Sequence, residues 1–395
     1  MQRLSQSPTD PAFVQNPYPF YERARKAGPL FFWEDYGMVC ATSATAVGAI
    51  LRDRRFGREV PEDRRPPVPD HLRPFYAVEA HSMLELEPPR HTRLRSLVLR
   101  AFTSRRIAAL GPEIATLAHQ LIDAFPTGGA FDLLPAFARP LPVTVICRLL
   151  GVPEADGERL LVWSNAMVGM YQARRTRATE DAAVAATEAF VGYMRAHVDT
   201  RRGSPADDLI THLIAAEAEG ERLSTDELIT TCILLLNAGH EATVHTIGNG
   251  VKALLKGGFG GEVLVPSRIE GTVEEILRQD PPLHLFTRCA YEDIEMAGHR
   301  FRRGDEVGCL LAAANRDPQG WDTPARFNPA RPVRANLSFG AGLHFCVGAP
   351  LARLELQVAL PILFSRCPGL ALAAPPRYAD LYHFHGLETL MVRAG

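Results

Sequence analysis

The chain has 395 residues, of which 46% are hydrophobic and 22% are charged, and its formal net charge is -2. This composition is typical of a globular protein with a large core, and the nearly neutral balance does not favour nucleic acid or an anionic membrane surface as a partner. No stretch approaches the ~18 apolar residues that a membrane-spanning helix needs, and the first residues lack the apolar segment of a secretory signal. We therefore expect a soluble, cytoplasmic protein.

Taken in chain order, apolar and polar residues first predict a β-hairpin over residues 31–41. Residues 60–74 are rich in proline and arginine and predict a loop. Apolar residues at three-to-four spacing then predict helices over residues 93–102, 107–125, 179–200 and 225–255. Ser224 and Glu227 are placed as the two members of a capping box at the start of the last and longest of these helices.

The final third of the chain has a different pattern. Short strands are predicted over residues 286–291, 294–296 and 307–311. Residues 315–336, rich in Pro, Asp, Asn and Arg, predict an irregular but ordered segment, and a further helix is predicted to begin near Pro350. The fold class is therefore mainly α with small β-sheet regions. No break in composition divides the chain, so we expect one domain over residues 1–395.

The seven cysteines are scattered, odd in number and without a C-x-x-C pair. This spacing argues against a disulfide framework, a zinc ribbon and a four-cysteine iron–sulfur site. Six of the seven are expected to be small buried hydrophobic residues. The remaining question is whether the seventh lies in surroundings that would make it a reactive or metal-binding thiolate.

Residues 337–355, LSFGAGLHFCVGAPLARLE, provide that setting. The glycines permit backbone geometries that other residues resist, and Pro350 suits the first turn of a helix. Cys346 lies just before this helix, where backbone N–H groups and the positive end of the helix dipole favour a thiolate. A thiolate presented in this way suits one axial bond to haem iron. A cysteine in a turn is more often buried and inert, so its neighbours decide between the two interpretations.

Those neighbours resemble the cysteine-loop signature of the cytochrome P450 family, F-x-x-G-x-x-x-C-x-G, at Phe339, Gly342, His344, Cys346 and Gly348. The resemblance implies the family's fold, a helical prism with small β-sheets, and haem b (iron protoporphyrin IX) as cofactor. It implies that Cys346 is the metal ligand, with Phe339 packed by the sulfur. It also implies that His344 reaches a haem propionate and that Gly348 belongs to the cofactor-binding loop.

An E-x-x-R pair at Glu275 and Arg278 lies on one helix face. Such a pair is usually a surface salt bridge of little energetic value. Its position ahead of the cysteine resembles the family's conserved helix motif, and Arg331 in FNPAR resembles the third member of the same cluster. The resemblance implies that the three residues support the segment that leads to the cysteine loop.

His91 and Arg95 are four residues apart on one helix face, which alone is typical of a basic amphipathic helix. In this family such a pair binds a haem propionate, and Arg288 resembles another propionate ligand. Haem carries two carboxylates, which are costly to bury without partners, and arginine donates strong charge-assisted hydrogen bonds to them. The resemblance thus adds His91, Arg95 and Arg288 to the cofactor-binding residues.

The long predicted helix contains LLLNAGHEAT, in which Ala238, Gly239 and Ala242 form a strip of small side chains. Small residues of this kind commonly serve helix packing. The resemblance implies instead a groove beside the haem, where O2 and substrate meet Ala238 and Gly239. Glu241 is an acid in an apolar helix, so we expect a raised pKa and a role in proton delivery.

This helix departs from the family pattern at one position. Many members have threonine directly after the acid, whereas here Ala242 follows Glu241 and Thr243 comes one residue later. A shift of one residue turns a side chain by roughly 100°, so Thr243 is not expected to replace the usual hydroxyl. Three hypotheses stay open for the catalytic residues Glu241, Ala242 and Thr243: a substrate hydroxyl holds the catalytic water, ordered water reached from Glu241 suffices, or the reaction is not an ordinary hydroxylation.

The resemblance implies a monooxygenase that inserts one atom of O2 into a hydrophobic small-molecule substrate. Since the sequence shows no flavin or iron–sulfur domain, electrons are expected from a separate ferredoxin and its reductase. The expected docking patch comprises Arg93, Arg100, Arg105, Arg106 and Arg353. The protein is expected to be a monomer. A peroxide-driven peroxygenase and a haem-thiolate sensor without turnover are the alternatives.

Overall fold

The computed structural model describes residues 1–173, 175–218 and 221–395, and its architecture is mainly helical. The helices are α1 (Pro11–Gln15), α2 (Tyr18–Ala27), α3 (Ala44–Arg52), α4 (Arg73–Glu79), α5 (Arg90–Ala101), α6 (Ser104–Ala109), α7 (Gly111–Asp123), α8 (Pro140–Leu150), α9 (Gly157–Val168), α10 (Arg177–Gly203), α11 (Leu209–Ala215), α12 (Thr225–Gly257), α13 (Ile269–Gln279), α14 (Leu311–Ala314) and α15 (Ala349–Arg366). The strands are β1 (Arg3–Leu4), β2 (Leu30–Trp33), β3 (Met38–Ala41), β4 (Phe56–Gly57), β5 (Phe131–Asp132), β6 (Glu217–Ala218), β7 (Glu221–Arg222), β8 (Leu285–Ala290), β9 (Ile294–Met296), β10 (His299–Phe301), β11 (Glu306–Leu310), β12 (Ala371–Leu372), β13 (Arg377–Tyr378), β14 (Leu387–Thr389) and β15 (Met391–Arg393).

The predicted hairpin is confirmed as β2 and β3, which pair antiparallel. The predicted capping box of α12 is also confirmed. The Ser224 backbone N–H donates to Glu227 Oε2 at 2.9 Å, and the Glu227 backbone N–H donates to Ser224 Oγ at 3.2 Å. Residues 315–336 contain neither a strand nor a helix, as expected for an irregular segment.

The prediction of one helix over residues 107–125 is wrong. The structure has two helices there, α6 and α7, which are separated at Leu110. Pro112 explains the break, because it lacks a backbone N–H and its ring clashes with the carbonyl of the residue four before it. The same proline is well suited to the first turn of α7, where no N–H donor is needed.

The chain divides into two compact units. The first unit comprises residues 1–61, 111–139 and 242–395, and the second comprises residues 62–110 and 140–241. Helix α12 is continuous through the boundary, so that residues up to Glu241 belong to the second unit and residues from Ala242 belong to the first. The expectation of a single domain over residues 1–395 stays a prediction.

The first unit is built on a six-stranded sheet with the order β1-β2-β3-β11-β8-β4. Alternate side chains of its strands join two different apolar clusters, Leu30 and Val39 on one side and Phe31 and Cys40 on the other. Because successive side chains of a strand point to opposite faces, the sheet is buried on both sides. This burial fixes β8, the strand that carries Arg288. In the same unit, α15 packs against α7 and α13.

In the second unit, the long helix α10 packs against α9 and α4, and α5 packs against α11. Thr176 caps the start of α10 by accepting a hydrogen bond from the Thr179 backbone N–H at 3.2 Å. None of the helices in the described parts of the chain has the length and apolar character needed to cross a bilayer. The cytoplasmic location and the monomeric state stay predictions.

Candidate active site

The loop that carries Cys346 has a defined backbone geometry. The Cys346 backbone N–H donates to the Phe339 carbonyl at 3.0 Å and closes the loop. Gly340 and Gly342 have φ angles of +69° and +70°, in the left-handed region that favours glycine. A Cβ added at Gly342 would lie 2.2 Å from the Leu51 carbonyl oxygen. Gly342 is therefore required both by its backbone conformation and by its close packing on α3.

Cys346 differs from the other cysteines in its exposure. All seven are described, and the other six are buried whereas Cys346 is half-buried. Burial raises the pKa of Cys147 to about 11 and that of Cys232 to about 12, so these groups are thiols at neutral pH. The prediction that six of the seven are buried is confirmed, and Cys346 is the cysteine that the protein does not enclose.

A buried charge cluster supports the segment before this loop. The Glu275 carboxylate accepts from Arg278 Nε at 2.7 Å, from Arg278 Nη2 at 2.8 Å and from Arg331 Nε at 3.2 Å. It also accepts from the Asn328 backbone N–H at 2.8 Å. Glu275 and Arg278 are only 3% and 1% exposed. The expected Glu–Arg–Arg cluster is therefore present, and it is a buried network and not a surface salt bridge.

A second brace, which the sequence reasoning missed, joins α13 to the cysteine loop. Arg353 Nε donates to Glu274 Oε1 at 2.5 Å, and the Arg353 guanidinium lies 4.7 Å from the centre of the Phe339 ring. Asn336 Nδ2 donates to Glu274 Oε2 at 3.0 Å. One carboxylate thus holds the N-terminal part of α15 and the residue that precedes the loop. The only local signal was a second glutamate beside Glu275.

The predicted propionate ligands lie in both units. Arg288 is 3% exposed in β8, where its Nη1 donates to the Thr287 carbonyl at 2.8 Å, and His344 is half-buried in the cysteine loop. In the second unit, His91 is 1% exposed and Arg95 is half-buried, one turn later on α5. Each unit thus places one histidine and one arginine at the positions predicted to bind propionates, and none of the four side chains is fully exposed.

Helix α12 has one face that the described residues cover only in part, and we call it the open face. In the middle of the helix Leu235, Leu236 and His240 are buried, whereas Ala238 is exposed. Other partly buried positions near it are Asn237, Glu241, Ala242 and His245. Their spacing of three to four residues defines a single face of the helix. A face with two alanines, Ala238 and Ala242, in an otherwise buried helix fits a flat cofactor and a small ligand.

Gly239 has a packing role as well. A Cβ at this position would lie 3.2 Å from Ile146 Cδ1 of α8, which is tighter than ordinary van der Waals contact. A larger residue would therefore push α8 away from α12. Of the three small residues, Gly239 thus serves helix packing, while Ala238 and Ala242 lie on the open face.

Glu241 is the acid on the open face. Its Oε2 is buried and has no hydrogen-bond partner among the described residues, and burial raises the pKa of Glu241 to about 7. Thr243 is 5% exposed, whereas Ala242 lies on the open face. The raised pKa agrees with the expectation for Glu241, and Thr243 is buried instead of lying on the open face. Asn237 lies one turn before Glu241 and was not singled out from the sequence.

Comparison with known proteins identifies the family. Residues 269–368 match the family model described as cytochrome P450. The chain is 38% identical to cytochrome P450 monooxygenase PikC of Streptomyces venezuelae, over 96% of this chain and 92% of that protein. The chain belongs to the cytochrome P450 family. It is also 38% identical to vitamin D(3) 25-hydroxylase of Pseudonocardia autotrophica, over 91% of this chain and 89% of that protein.

Solved structures of cytochromes P450 agree with this assignment. The crystal structure of P450BioI in complex with hexadec-9Z-enoic acid ligated acyl carrier protein matches with a TM-score of 0.90 at 35% identity, covering 96% of this chain and 99% of that chain. The chain therefore has the cytochrome P450 fold, binds haem b and is a cytochrome P450 monooxygenase. Names of relatives such as monooxygenase and 25-hydroxylase favour turnover over the sensor alternative.

Proposed function

We propose that Cys346 is the axial ligand of the haem iron, and that the enzyme inserts one atom of O2 into a hydrophobic small-molecule substrate. The observation that carries this proposal is the exposure of Cys346, the one incompletely buried cysteine of the chain, in a braced loop directly before α15. Bound haem would supply O2 activation, which a thiolate ligand promotes by donating electron density.

We assign the remaining cofactor contacts residue by residue. Gly348 lies beside the sulfur, since a Cβ at Gly348 would lie 3.8 Å from Cys346 Sγ. We assign Phe339, whose carbonyl oxygen accepts from the Cys346 backbone N–H, to pack by the sulfur. The small side chain of Ala238 leaves room beside the cofactor, and we assign Gly239 to the same cofactor-binding segment although its Cα faces Ile146 of α8. The residues proposed to bind its propionates are His91, Arg95, Arg288 and His344. Charge-assisted hydrogen bonds from such groups are about twice as strong as neutral ones.

Cys346→Ala tests the ligand assignment. We expect the reduced, CO-treated variant to lose the strongly red-shifted Soret band that a thiolate ligand produces. Cys147→Ala is the matched control, because Cys147 is a buried thiol in α8, and it should keep the band. A red-shifted band in Cys346→Ala would contradict the proposal.

Glu241 is proposed to move protons at the open face of α12. With a pKa of about 7, its carboxyl group is present in both protonation states at neutral pH, as a group that takes up and releases protons should be. Ala242 offers no hydroxyl, so water or a substrate hydroxyl must continue the path. Glu241→Gln is expected to lower turnover about 10²-fold, with substrate affinity little changed, whereas the exposed Glu188→Gln should leave both unchanged.

The proposed electron donor is a ferredoxin that is reduced by a separate reductase. Residues 90–109 contain six arginines and no acidic residue, which favours an acidic partner. The structure reduces the predicted docking patch, because Arg93 forms an ion pair with Glu227 and Arg353 forms one with Glu274. Arg100 and Arg105 are exposed.

Charge reversal at the two exposed arginines tests this partner. Arg100→Glu combined with Arg105→Glu should slow reduction by ferredoxin about tenfold at low salt, since surface charge mainly affects association. Arg302→Glu, an exposed arginine in the loop between β10 and β11, is the control. Equal rates for the double variant and the control would remove the proposed docking surface.

A further inference from the structure

Two buried oxygen atoms on the open face of α12 lack hydrogen-bond partners. They are Asn237 Oδ1 and Glu241 Oε2, and neither has a partner among the residues that the structure describes. The two residues are four positions apart, so their side chains are neighbours on the helix surface, with ~5–6 Å between the Cβ atoms. Both belong to the second unit.

The orientation of the Asn237 side chain is set by Met167 of α9. The amide nitrogen lies 3.8 Å from the Met167 sulfur, and a thioether sulfur accepts hydrogen bonds but cannot donate them. The amide nitrogen must therefore face the sulfur, which directs Oδ1 to the opposite side. Met167 is itself buried, so this contact holds the amide in one orientation.

Asn237 does not stabilise the helix in which it lies. It follows three leucines, Leu234, Leu235 and Leu236, and asparagine is a poorer helix former than leucine. Leaving a buried acceptor without a donor costs ~1–3 kcal/mol. A leucine would avoid both losses, so the presence of asparagine at this position points to a ligand.

We propose that Asn237 and Glu241 together bind a hydroxyl group of the substrate, so that the substrate is a hydroxyl-bearing hydrophobic molecule and Asn237 determines specificity for it. A hydroxyl donates one hydrogen bond and accepts others. It can donate to Asn237 Oδ1 and accept from the protonated carboxyl group of Glu241. The inference deepens the proposed monooxygenase function and rests on it. It also supplies a hydroxyl beside Glu241, the neighbour in sequence of Ala242, whose own side chain has no hydroxyl.

The test is a binding measurement with matched ligands. Decan-1-ol and borneol are each compared with their methyl ethers by isothermal titration calorimetry of the holoenzyme, because an ether keeps the acceptor oxygen but lacks the donor. At least one alcohol should bind the wild type about tenfold more tightly than its ether, the equivalent of one hydrogen bond of about 1.4 kcal/mol. Asn237→Leu should remove this preference.

Asn165→Leu is the matched control, because Asn165 is an exposed asparagine on α9, and it should keep the preference. Glu241→Leu should weaken it, whereas Glu241→Gln, which still offers a donor, should keep most of it. Two results would overturn the inference. In the first, no alcohol binds more tightly than its ether, which is the result expected if water fills the site. In the second, the preference for the alcohol survives in Asn237→Leu. Calorimetry does not depend on the iron ligand, so a missing thiolate spectrum would contradict only the assignment of Cys346.

Discussion

Two buried glutamates, Glu275 in α13 and Glu241 in α12, show how differently one protein treats the same side chain. The Glu275 carboxylate accepts hydrogen bonds from Arg278, Arg331 and the Asn328 backbone. Glu241 has an oxygen without a partner among the described residues, and burial raises its pKa to about 7. The first carboxylate is compensated and holds structure together, while the second is kept uncompensated on an open helix face.

The contrast gives a physical criterion for separating structural from functional acids. A buried charge with full hydrogen bonding is destabilising to remove, because its partners are then left uncompensated. A buried acid without partners gains little from its charge, and it is therefore free to change protonation state near neutral pH. The same substitution, glutamate to glutamine, should consequently have opposite effects at the two positions.

The largest effect is expected for Glu275→Gln. The substitution keeps the shape of the side chain but leaves the buried guanidinium of Arg278 without its counter-charge, so we expect a loss of ~3–5 kcal/mol in the free energy of unfolding. Urea denaturation of the holoprotein measures this loss. A change below about 1 kcal/mol would show that the cluster is not compensated in the way the geometry indicates.

Arg331→Ala should have an intermediate effect. It removes one charge-assisted hydrogen bond to Glu275 and one from Arg331 Nη1 to the Asp322 carbonyl, 2.8 Å away. Because the Glu275–Arg278 pair persists, the expected loss is ~1.5–3 kcal/mol, measured in the same way. Arg334→Ala, an exposed arginine in the same segment, should cost less, and a loss as large as that of Arg331→Ala would count against the cluster.

Glu241→Gln should show a pH dependence that Glu275→Gln does not share. The pKa of Glu241 rises on folding from an ordinary 4.5 to about 7, so the folded state binds the proton more tightly than the unfolded state. The free energy of unfolding therefore falls as the pH rises from about 4.5 through 7. From pH 5 to pH 8, the stability of Glu241→Gln relative to wild type should therefore rise by ~2–3 kcal/mol.

Urea denaturation at the two pH values measures this difference, with the exposed Glu188→Gln as the variant that should show none. A stability difference between wild type and Glu241→Gln that is the same at pH 5 and pH 8 would mean that the carboxyl group does not titrate in this range.

The smallest effect is expected for Ala242→Thr. If a substrate hydroxyl already lies beside Glu241, a threonine hydroxyl adds nothing, and the ratio of product formed to NADH consumed should change less than about twofold on the preferred alcohol. A sharp rise in this ratio would contradict substrate assistance. It would show that the proton path of the wild type lacks the hydroxyl that threonine provides.

The features that were predictable from the sequence are those that depend on residues close together in the chain. The capping box of α12, the periodicity of α10 and the glycine pattern around Cys346 depend on residues within a few positions of one another, and each prediction of structure was confirmed. The single helix over residues 107–125 was the exception, because the helical periodicity of the apolar residues outweighed the signal of Pro112.

Contacts between segments that are distant in sequence determined the features that the sequence did not predict. The brace from Glu274 to Arg353 spans 79 residues, and the fit of Gly342 against Leu51 joins segments nearly three hundred residues apart, so neither leaves a local pattern. Periodicity places Asn237 and Glu241 on one face of α12, since that requires only the helical repeat. Which face stays open, and hence which polar atoms are buried without partners, depends on how the other elements pack around the helix.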